Sequence, residues 1–444
     1  MTPEEVSKRL KKVIRHRNCS GCGACTLFSK NGLMIATPRG PVPDLDVAEY
    51  YSEALDVCPG IGIHYPAMYD YHYGAQPESY LHGEMKKVRI GFSGKENIRR
   101  KGASGGVTTS VLLYLLERKF LDGVVCSRQG LPTPLEASAH IARTEAEVIA
   151  SMQSVYIPVS VLDVISEFNE GEQYAMVCLP EQSAALRKLQ SMGHPGALQV
   201  KYVLGPYTGT ALYPSAIHSF LRSKRVAKKD KVTSLKWREG EWPGYLEIKT
   251  KSGKVLQSKK IYYNFLIPFF VTHTSLRSMD FVNEFADLSV GDAWSPKYES
   301  EGMGFSVFVT RTSAMEKIVG EMLTKGLIQA EDAERDEAIS MHGHMLDFKK
   351  RGGYIRNRMR AFFGYSVPDY GYRPRKIALS RKLTELVISG IFLLAGNAFS
   401  RTLMTIIPEK ILGPVFDFMR LKWKSISKPT KRKGLSTYDI IIKA

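Results

Sequence analysis

Between residues 86 and 215 apolar positions repeat at two different periods. Lys87-Val-Arg-Ile-Gly-Phe92, Asp122-Gly-Val-Val-Cys126 and Tyr174 to Leu179 are short, apolar and rich in β-branched side chains, which predicts strands. Val107, Val111, Leu112, Leu115 and Leu116 recur three and four residues apart, which predicts a helix over Gly106 to Lys119. Ala146 to Met152, Pro158 to Glu170 and Glu181 to Met192 carry further helical patterns, whereas Tyr65 to Tyr80, rich in Pro, Tyr and His, reads as a loop. Strands alternating with helices predict α/β layers around a largely parallel sheet. From 216 to 310 the texture turns β-like, and Tyr245-Leu-Glu-Ile-Lys-Thr-Lys-Ser-Gly-Lys254 reads as a hairpin.

After Pro374 the pattern changes again. Leu386 to Phe399 is apolar for 14 residues, too short for the roughly 20 residues that cross a bilayer core. Leu403 to Ile407, Ile411 to Phe416 and a basic run holding Trp423 follow. Two readings stand: helices lying at a membrane surface through residues 374–433, or a helical hairpin packed on the body. The expected organisation is α/β, α+β overall. A small amino-terminal cysteine module (1–85) precedes an α/β core (86–315), a helical closure (316–373) and a basic helical extension (374–444).

The chain has 444 residues and a net charge of +18. From Pro408 to Lys433 eight basic residues face two acids, a tail suited to anionic lipid, nucleic acid or an acidic protein, or simply to water. Nucleic acid is disfavoured, because the tail lacks stacking aromatics beyond Trp423 and no nucleic-acid module is evident. The start, Glu4 to Arg17, is charged and has no signal-peptide core, and no disulfide framework is visible. The expected setting is cytoplasmic, peripheral at the inner face of the cell membrane if the tail binds lipid.

Four cysteines carry the strongest chemistry. Cys19, Cys22 and Cys25 lie two residues apart among small residues, and Cys58 stands before Pro59 after a 32-residue insertion. This is ligand spacing for one 4Fe–4S cluster. A structural zinc would want two separated knuckles or histidine ligands, and only His16 and His64 lie near. Cys126 and Cys178 sit in apolar strands and read as core residues.

Three strand-end motifs are candidates for binding. Arg99-Arg-Lys-Gly-Ala-Ser-Gly-Gly-Val107 leads into a helix, where free N–H groups and nearby cations attract phosphate, although such a turn is often only a turn. Cys178-Leu-Pro-Glu-Gln-Ser183 joins a buried strand to a helix, a usual ligand position in α/β sheets. Asp287-Leu-Ser-Val-Gly-Asp-Ala-Trp294 is open to two readings, a plain hairpin or a polar contact surface.

In order along residues 15 to 315, these motifs resemble the family of coenzyme F-420 hydrogenase/dehydrogenase beta subunits, whose relatives include ferredoxin-dependent reductases of chlorophyll intermediates. The resemblance rests on the four cysteines, Ala103-Ser-Gly-Gly-Val107, Leu121-Asp-Gly-Val-Val125, Leu179-Pro-Glu-Gln182, Ala184-Ala-Leu-Arg-Lys188, Gly304-Phe-Ser306 and above all Asp280 to Trp294. It implies an iron–sulfur flavoprotein oxidoreductase with FAD in the 86–315 core. Electrons would come from a ferredoxin or another acidic donor, or from a deazaflavin, and would reduce an organic substrate, with cell-envelope polysaccharide assembly as one setting. An electron-transfer subunit without a substrate of its own is the alternative. On this reading Ser104, Gly105, Gly106 and Val107 hold the pyrophosphate, and Gln182, Asp287, Gly291 and Asp292 line the ring or ribityl chain. Glu181 is a candidate proton donor, weighed against a solvated or Arg-paired glutamate. Two departures matter. Where relatives carry a C-x-x-C before the Asp-Phe motif this chain has Ser275-Leu-Arg-Ser278, and Glu181 replaces a cysteine. One cluster is expected, not two.

Overall fold

The computed structural model describes residues 1–259, 266–407 and 409–443. Pro408, where the basic run begins, lies outside them. At the centre is an eight-stranded sheet. Its strands are β1 (Lys87–Ser93), β2 (Gly123–Gln129), β3 (Ala137–Ala142), β4 (Tyr174–Val177), β5 (Val200–Pro206), β6 (Leu288–Asp292), β7 (Ser306–Thr310) and β8 (Ile328–Asp332). Their spatial order is β8-β1-β7-β6-β5-β4-β2-β3. The middle strands β6, β5, β4 and β2 run parallel. The flanking pairs β2–β3, β6–β7, β7–β1 and β1–β8 are antiparallel. The α/β class holds, but the sheet is mixed where a largely parallel one was expected. A strand's own residues do not reveal the direction of its neighbour.

Alternation along the strands builds a core on each face. Val124, Cys126, Ala175 and Leu204 pack with helices α2 (Val107–Glu117) and α4 (Ser313–Thr324). Val125, Met176 and Val203 point the other way, onto α3 (Pro180–Ser191), with Ala185, Leu186 and Leu189. Successive side chains on a strand point to opposite faces, so a continuous apolar run needs a helix layer on each. Helix α1 (Pro3–Arg15) packs Val6 and Leu10 on Cys25, Tyr50 and Leu55, covering the cysteine segment. The expected hairpin forms between Tyr245–Thr250 and Val255–Lys259, with Val232–Glu239 as the third strand of a small antiparallel sheet.

Two expectations change. Residues 158–170 form only a 3₁₀ turn at Asp163–Glu167. Backbone groups there bond across the chain: Val161 and Leu162 donate to the Cys22 carbonyl, and the Val159 carbonyl accepts from Gln182 Nε2. A helix would have used those groups internally. Tyr65–Tyr73, expected as loop, is a helix capped by His64, whose Nδ1 accepts from Ala67 N–H at 3.2 Å. Its buried face is Tyr65, Met68 and Tyr69, helical spacing written in aromatic residues.

Beyond the sheet come α5 (Arg335–Asp347), a π-helical turn (Phe348–Gly353) and α6 (Tyr354–Phe362). The turn buries Lys349, Lys350 and Arg351. The chain then enters α7 (Leu379–Ala395), α8 (Ala398–Ile406) and α9 (Glu409–Arg432). A 67° bend separates α7 from α8, and among the described residues no single helix is long and apolar enough to cross a membrane.

The segment from Asp280 to Trp294 holds these parts together with buried charge. Asp280 accepts from the N–H groups of Asn283 and Glu284, each at 2.9 Å. Asn283, at φ +60°, donates to the Cys178 carbonyl at 2.6 Å. Glu284 meets Lys350 Nζ at 2.5 Å and accepts from Tyr69, with no exposure of either ionic side chain. Burial pushes the Glu284 carboxyl up to about 7, against the pull of Lys350. Between pH 4.5 and 7 the folded protein therefore holds a proton there that the unfolded chain has lost, so stability falls as pH rises through that window. Unfolding free energies from urea titrations at pH 5 and pH 8 are expected to differ by on the order of 2 kcal/mol more in the native chain than in Glu284→Gln. An equal difference in both proteins counts against the assignment.

Candidate redox site

Cys19, Cys22, Cys25 and Cys58 line one small pocket with Leu10, Val13, Ile14 and Met34. Gly21 and Gly23 have φ of +70° and +90°, and a Cβ on Gly23 would lie 2.7 Å from Ser160 Oγ. Only glycine lets the loop wrap this closely. Desolvation raises all four thiol pKa values, Cys19 and Cys58 to about 12; neighbouring cysteines add to it at Cys19, Cys25 and Cys58, and Asp163 adds to it at Cys22. Backbone N–H groups oppose the rise, from Gly21 to Cys19, from Ala24 to Cys22, and from Gly60 and Ile61 to Cys58. Four clustered thiols, two buried and two half-buried, facing amide donors and with no cationic side chain lining their pocket, are the donor chemistry an iron–sulfur cluster would take. The histidines a zinc site would borrow are occupied elsewhere. His16 Nδ1 bonds Ser366, and His64 caps a helix. Among the described residues no three His, Cys, Asp or Glu side chains converge as one bare ion requires.

Beside this pocket lies a cavity of about 520 Å³, within the usual range for cofactor sites. Each parallel strand brings its carboxyl end to it: Cys126 and Ser127 from β2, Val177 and Cys178 from β4, Pro206 to Thr208 at β5, and Gly291 and Asp292 from β6. This is the crevice where open α/β sheets bind ligands. Ser104, Gly106 and Val107 line it at the amino end of α2. No side chain caps α2, and among the described residues no acceptor bonds the N–H groups of Val107, Thr108 or Thr109. Those groups and the helix dipole suit a phosphate. The cations expected to help lie elsewhere. Arg99 stacks on Phe92 and Phe305, 3.4 and 4.6 Å from their ring centres, while Arg100 pairs with Glu96 and Glu241. The turn is held from β7, where Ser306 Oγ meets Ser104 Oγ at 2.8 Å and accepts from Gly105 N–H at 2.9 Å.

Gln182 also lines the cavity, but three other residues do not. Gly105 packs against β1, where a Cβ would lie 2.6 Å from the Gly91 carbonyl. Asp287 is a structural acid: its carboxylate meets Arg187 at 2.9 Å and accepts from Val203 N–H at 2.7 Å. Glu181 lies outside the cavity, where its charge acts on Lys349 and Tyr370. Helix α3 carries Gln182 into the cavity wall, and its neighbour Glu181 on the same turn points elsewhere.

Several lining residues were missed. Arg238 of the small sheet lines the cavity and, with Trp242 of the turn that follows its strand, reaches Asp292 at 3.3 Å, so this sheet closes one side of the cavity. His342 Nε2 lies 2.8 Å from the Asp292 carbonyl, which fixes the proton on that nitrogen. His344 Nδ1 is buried in the wall without a partner, and burial with nearby lysines lowers its pKa to about 3. A signal for the β5 end was present in Gly205-Pro-Tyr-Thr-Gly-Thr210, a polar glycine turn after an apolar strand.

The wall between the pocket and the cavity is one chain segment thick. Val159 and Val161 line the cavity, while the N–H groups of Val161 and Leu162 bond the Cys22 carbonyl at 3.2 and 2.9 Å. Cys178 packs in the same cluster as Cys22. At the lost thiol positions a different chemistry has settled. Ser275 Oγ accepts from Ala211 N–H at 2.9 Å, and its carbonyl accepts from Lys349 Nζ at 2.8 Å. A buried ammonium occupies this place, and burial lowers its pKa to about 8.

Comparison with known proteins agrees with this geometry. The N-terminal model of the coenzyme F420 hydrogenase/dehydrogenase beta subunit matches residues 89–166, and its C-terminal model matches 171–336, together more than half of the chain. The chain is 24% identical over 382 residues to the coenzyme F420-dependent sulfite reductase of Methanocaldococcus jannaschii, covering 82% of this chain and 54% of that protein. It therefore spans about half the length of that relative. It is 21% identical to the coenzyme F420 hydrogenase subunit beta of Methanothermobacter thermautotrophicus, covering 57% of this chain and 86% of that one. Among solved structures, a chain of the F420-reducing [NiFe] hydrogenase complex from Methanosarcina barkeri shares the fold. It superposes with a TM-score of 0.50 at 18% identity, over 64% of this chain and 96% of that chain. With both halves of the family matched in order across the sheet that builds the cavity, this chain belongs to the family of coenzyme F420 hydrogenase/dehydrogenase beta subunits.

Proposed function

We propose that this protein is an iron–sulfur flavoprotein oxidoreductase in which Cys19, Cys22, Cys25 and Cys58 hold one 4Fe–4S cluster and the cavity holds FAD. The observation that carries the reading is the shared wall: four clustered thiols, two of them buried, stand one segment away from a cavity built at the carboxyl ends of parallel strands. When bound, the cluster would supply one-electron entry and FAD the pairing of electrons for hydride-type chemistry. The chain's own residues divide the remaining work. The N–H groups at the start of α2 bind phosphate, and Ser306 keeps their turn in place. Arg238 and Trp242 hold Asp292 at the cavity edge, where it can orient a polar group of the ligand. His344 offers an uncharged ring nitrogen as a hydrogen-bonding partner for a bound ligand. Cys22, Val161 and Cys178 fill the interval between the two compartments and exclude water from it. The donor is a ferredoxin-like protein or a deazaflavin. The net charge of +18 favours an acidic protein, and an organic substrate of envelope polysaccharide assembly fits a reductase of this kind.

A second reading is supported by relatives that are themselves parts of larger enzymes, such as the beta subunit of the Methanothermobacter thermautotrophicus hydrogenase. Here the protein passes electrons within an assembly and has no substrate of its own. Native purification distinguishes the two: turnover by the isolated chain supports the first, and a stoichiometric partner without which turnover is lost supports the second.

Anaerobically purified protein is expected to contain the iron and sulfide of a single cluster and one FAD per chain. Cys22→Ser should remove the broad iron–thiolate absorbance while much of the flavin remains. Metal-free, colourless and folded native protein would overturn the proposal. Ser104→Glu, which sets a carboxylate beside the phosphate position, should weaken FAD binding by about a hundredfold and leave iron content unchanged. Equal FAD affinity in that variant would remove α2 from the flavin site.

A further inference from the structure

Helix α7 is built inside out. Its buried face consists of Arg381, Glu385 and Ile388, while Leu379, Leu383, Leu386, Val387 and Leu394 face outward. The charged residues anchor it. Arg381 meets Asp347 of α5 and Glu385 at 2.7 Å each, and Glu385 pairs with Arg356 of α6. Helix α8 continues the pattern with Phe399 and Ile406 exposed by 76% and 68%. On α9, Ile411, Val415, Phe418, Met419 and Ile426 form a helical stripe on the exposed side, while Ser427 and Lys431 are buried. Singly exposed apolar residues are ordinary, but consecutive stripes on three helices mark a surface that meets something other than water.

We infer that this face docks the protein on an anionic lipid bilayer. Charge separates a membrane from a second copy of the chain. Exposed Lys382, Lys422 and Lys433 lie along or beside the stripes. The acids with described side chains on these helices, Glu385 and Asp417, are both taken up by arginine partners. A cationic, apolar surface is drawn to acidic headgroups and repels its own copy in a chain of +18. Length separates docking from spanning. Helix α7 has 17 residues, about 26 Å at 1.5 Å per residue, and the chain then turns by 67°. The inward faces of α7 and α9 are fixed on the body of the protein through Arg381, Glu385, Ser427 and Lys431, so only the outward stripes can reach lipid and the helices lie in the headgroup layer. The inference is independent of the redox reading and adds a location to it.

The test is sedimentation of the full-length protein with vesicles of equimolar phosphatidylglycerol and phosphatidylcholine, and with phosphatidylcholine alone. Binding is expected to the first, weakened by salt and by Lys422→Glu with Lys433→Glu. Leu386→Glu and Phe418→Glu, at side chains already facing solvent, should each lower it about tenfold or more without changing the melting profile. Absence of binding by the native chain, or binding unchanged in both apolar-face variants, would overturn the inference. A native dimer that these variants convert to monomer, with no vesicle binding, would overturn it in favour of self-association.

Discussion

The short stretch from Ile157 to Leu162 sets the distance between everything chemical in this protein. Two of its N–H groups are held by the Cys22 carbonyl and one of its carbonyls by Gln182 at the start of α3. The same stretch thus belongs to the thiol pocket on one side and the cavity on the other. Had it folded as a helix, its backbone groups would have been satisfied internally and the two compartments would have lost their common wall. A single thickness of valine and cysteine side chains fills the gap between the thiol pocket and the cavity.

A second constraint is the amount of charge carried out of water. Asp280, Glu284 and Asp287 are all buried, and each is met by backbone N–H groups or by a cation from elsewhere in the chain. Arg311, fully buried, bonds Ser289 and the carbonyls of His82, Glu84 and Val282. Such pairs add little net stability compared with apolar packing, but removing one partner strands the other. They fix which segments meet and in what register. The Asp280–Trp294 motif acts mainly in this way, joining α3, β5 and the π-helical turn. Phe281 at its near end and Val290, Gly291, Asp292 and Trp294 at its far end reach the cavity.

The same logic operates in the carboxyl-terminal helices with the opposite surface consequence. Arg381 and Glu385 lock α7 inward through Asp347 and Arg356, which leaves its leucines outward. In an ordinary surface helix the apolar stripe supplies the docking energy. Here buried ion pairs supply the orientation, and the apolar stripe is left facing outward.

Much was legible in the residues alone. The thiol quartet was legible because C-x2-C-x2-C forces three sulfurs together whatever the rest of the chain does, and the core strands because their apolar runs stand out from amphipathic helices. The helix at Tyr65 was not, since tyrosine reads as polar until it is seen buried. Strand direction, the inward turn of Asp287 and the displacement of Glu181 from the cavity were also hidden, because each depends on a partner far away in the chain: β7 beside β6, Arg187 on α3, Lys349 in the π-helical turn. Composition marked the tail as apolar and basic, but only the packed structure decided which of its faces meets water. Local spacing determined the clustering of the cysteines and the elements. Long-range ion pairs and strand pairings determined which residues look into the cavity, since those contacts exist only once the chain has closed on itself.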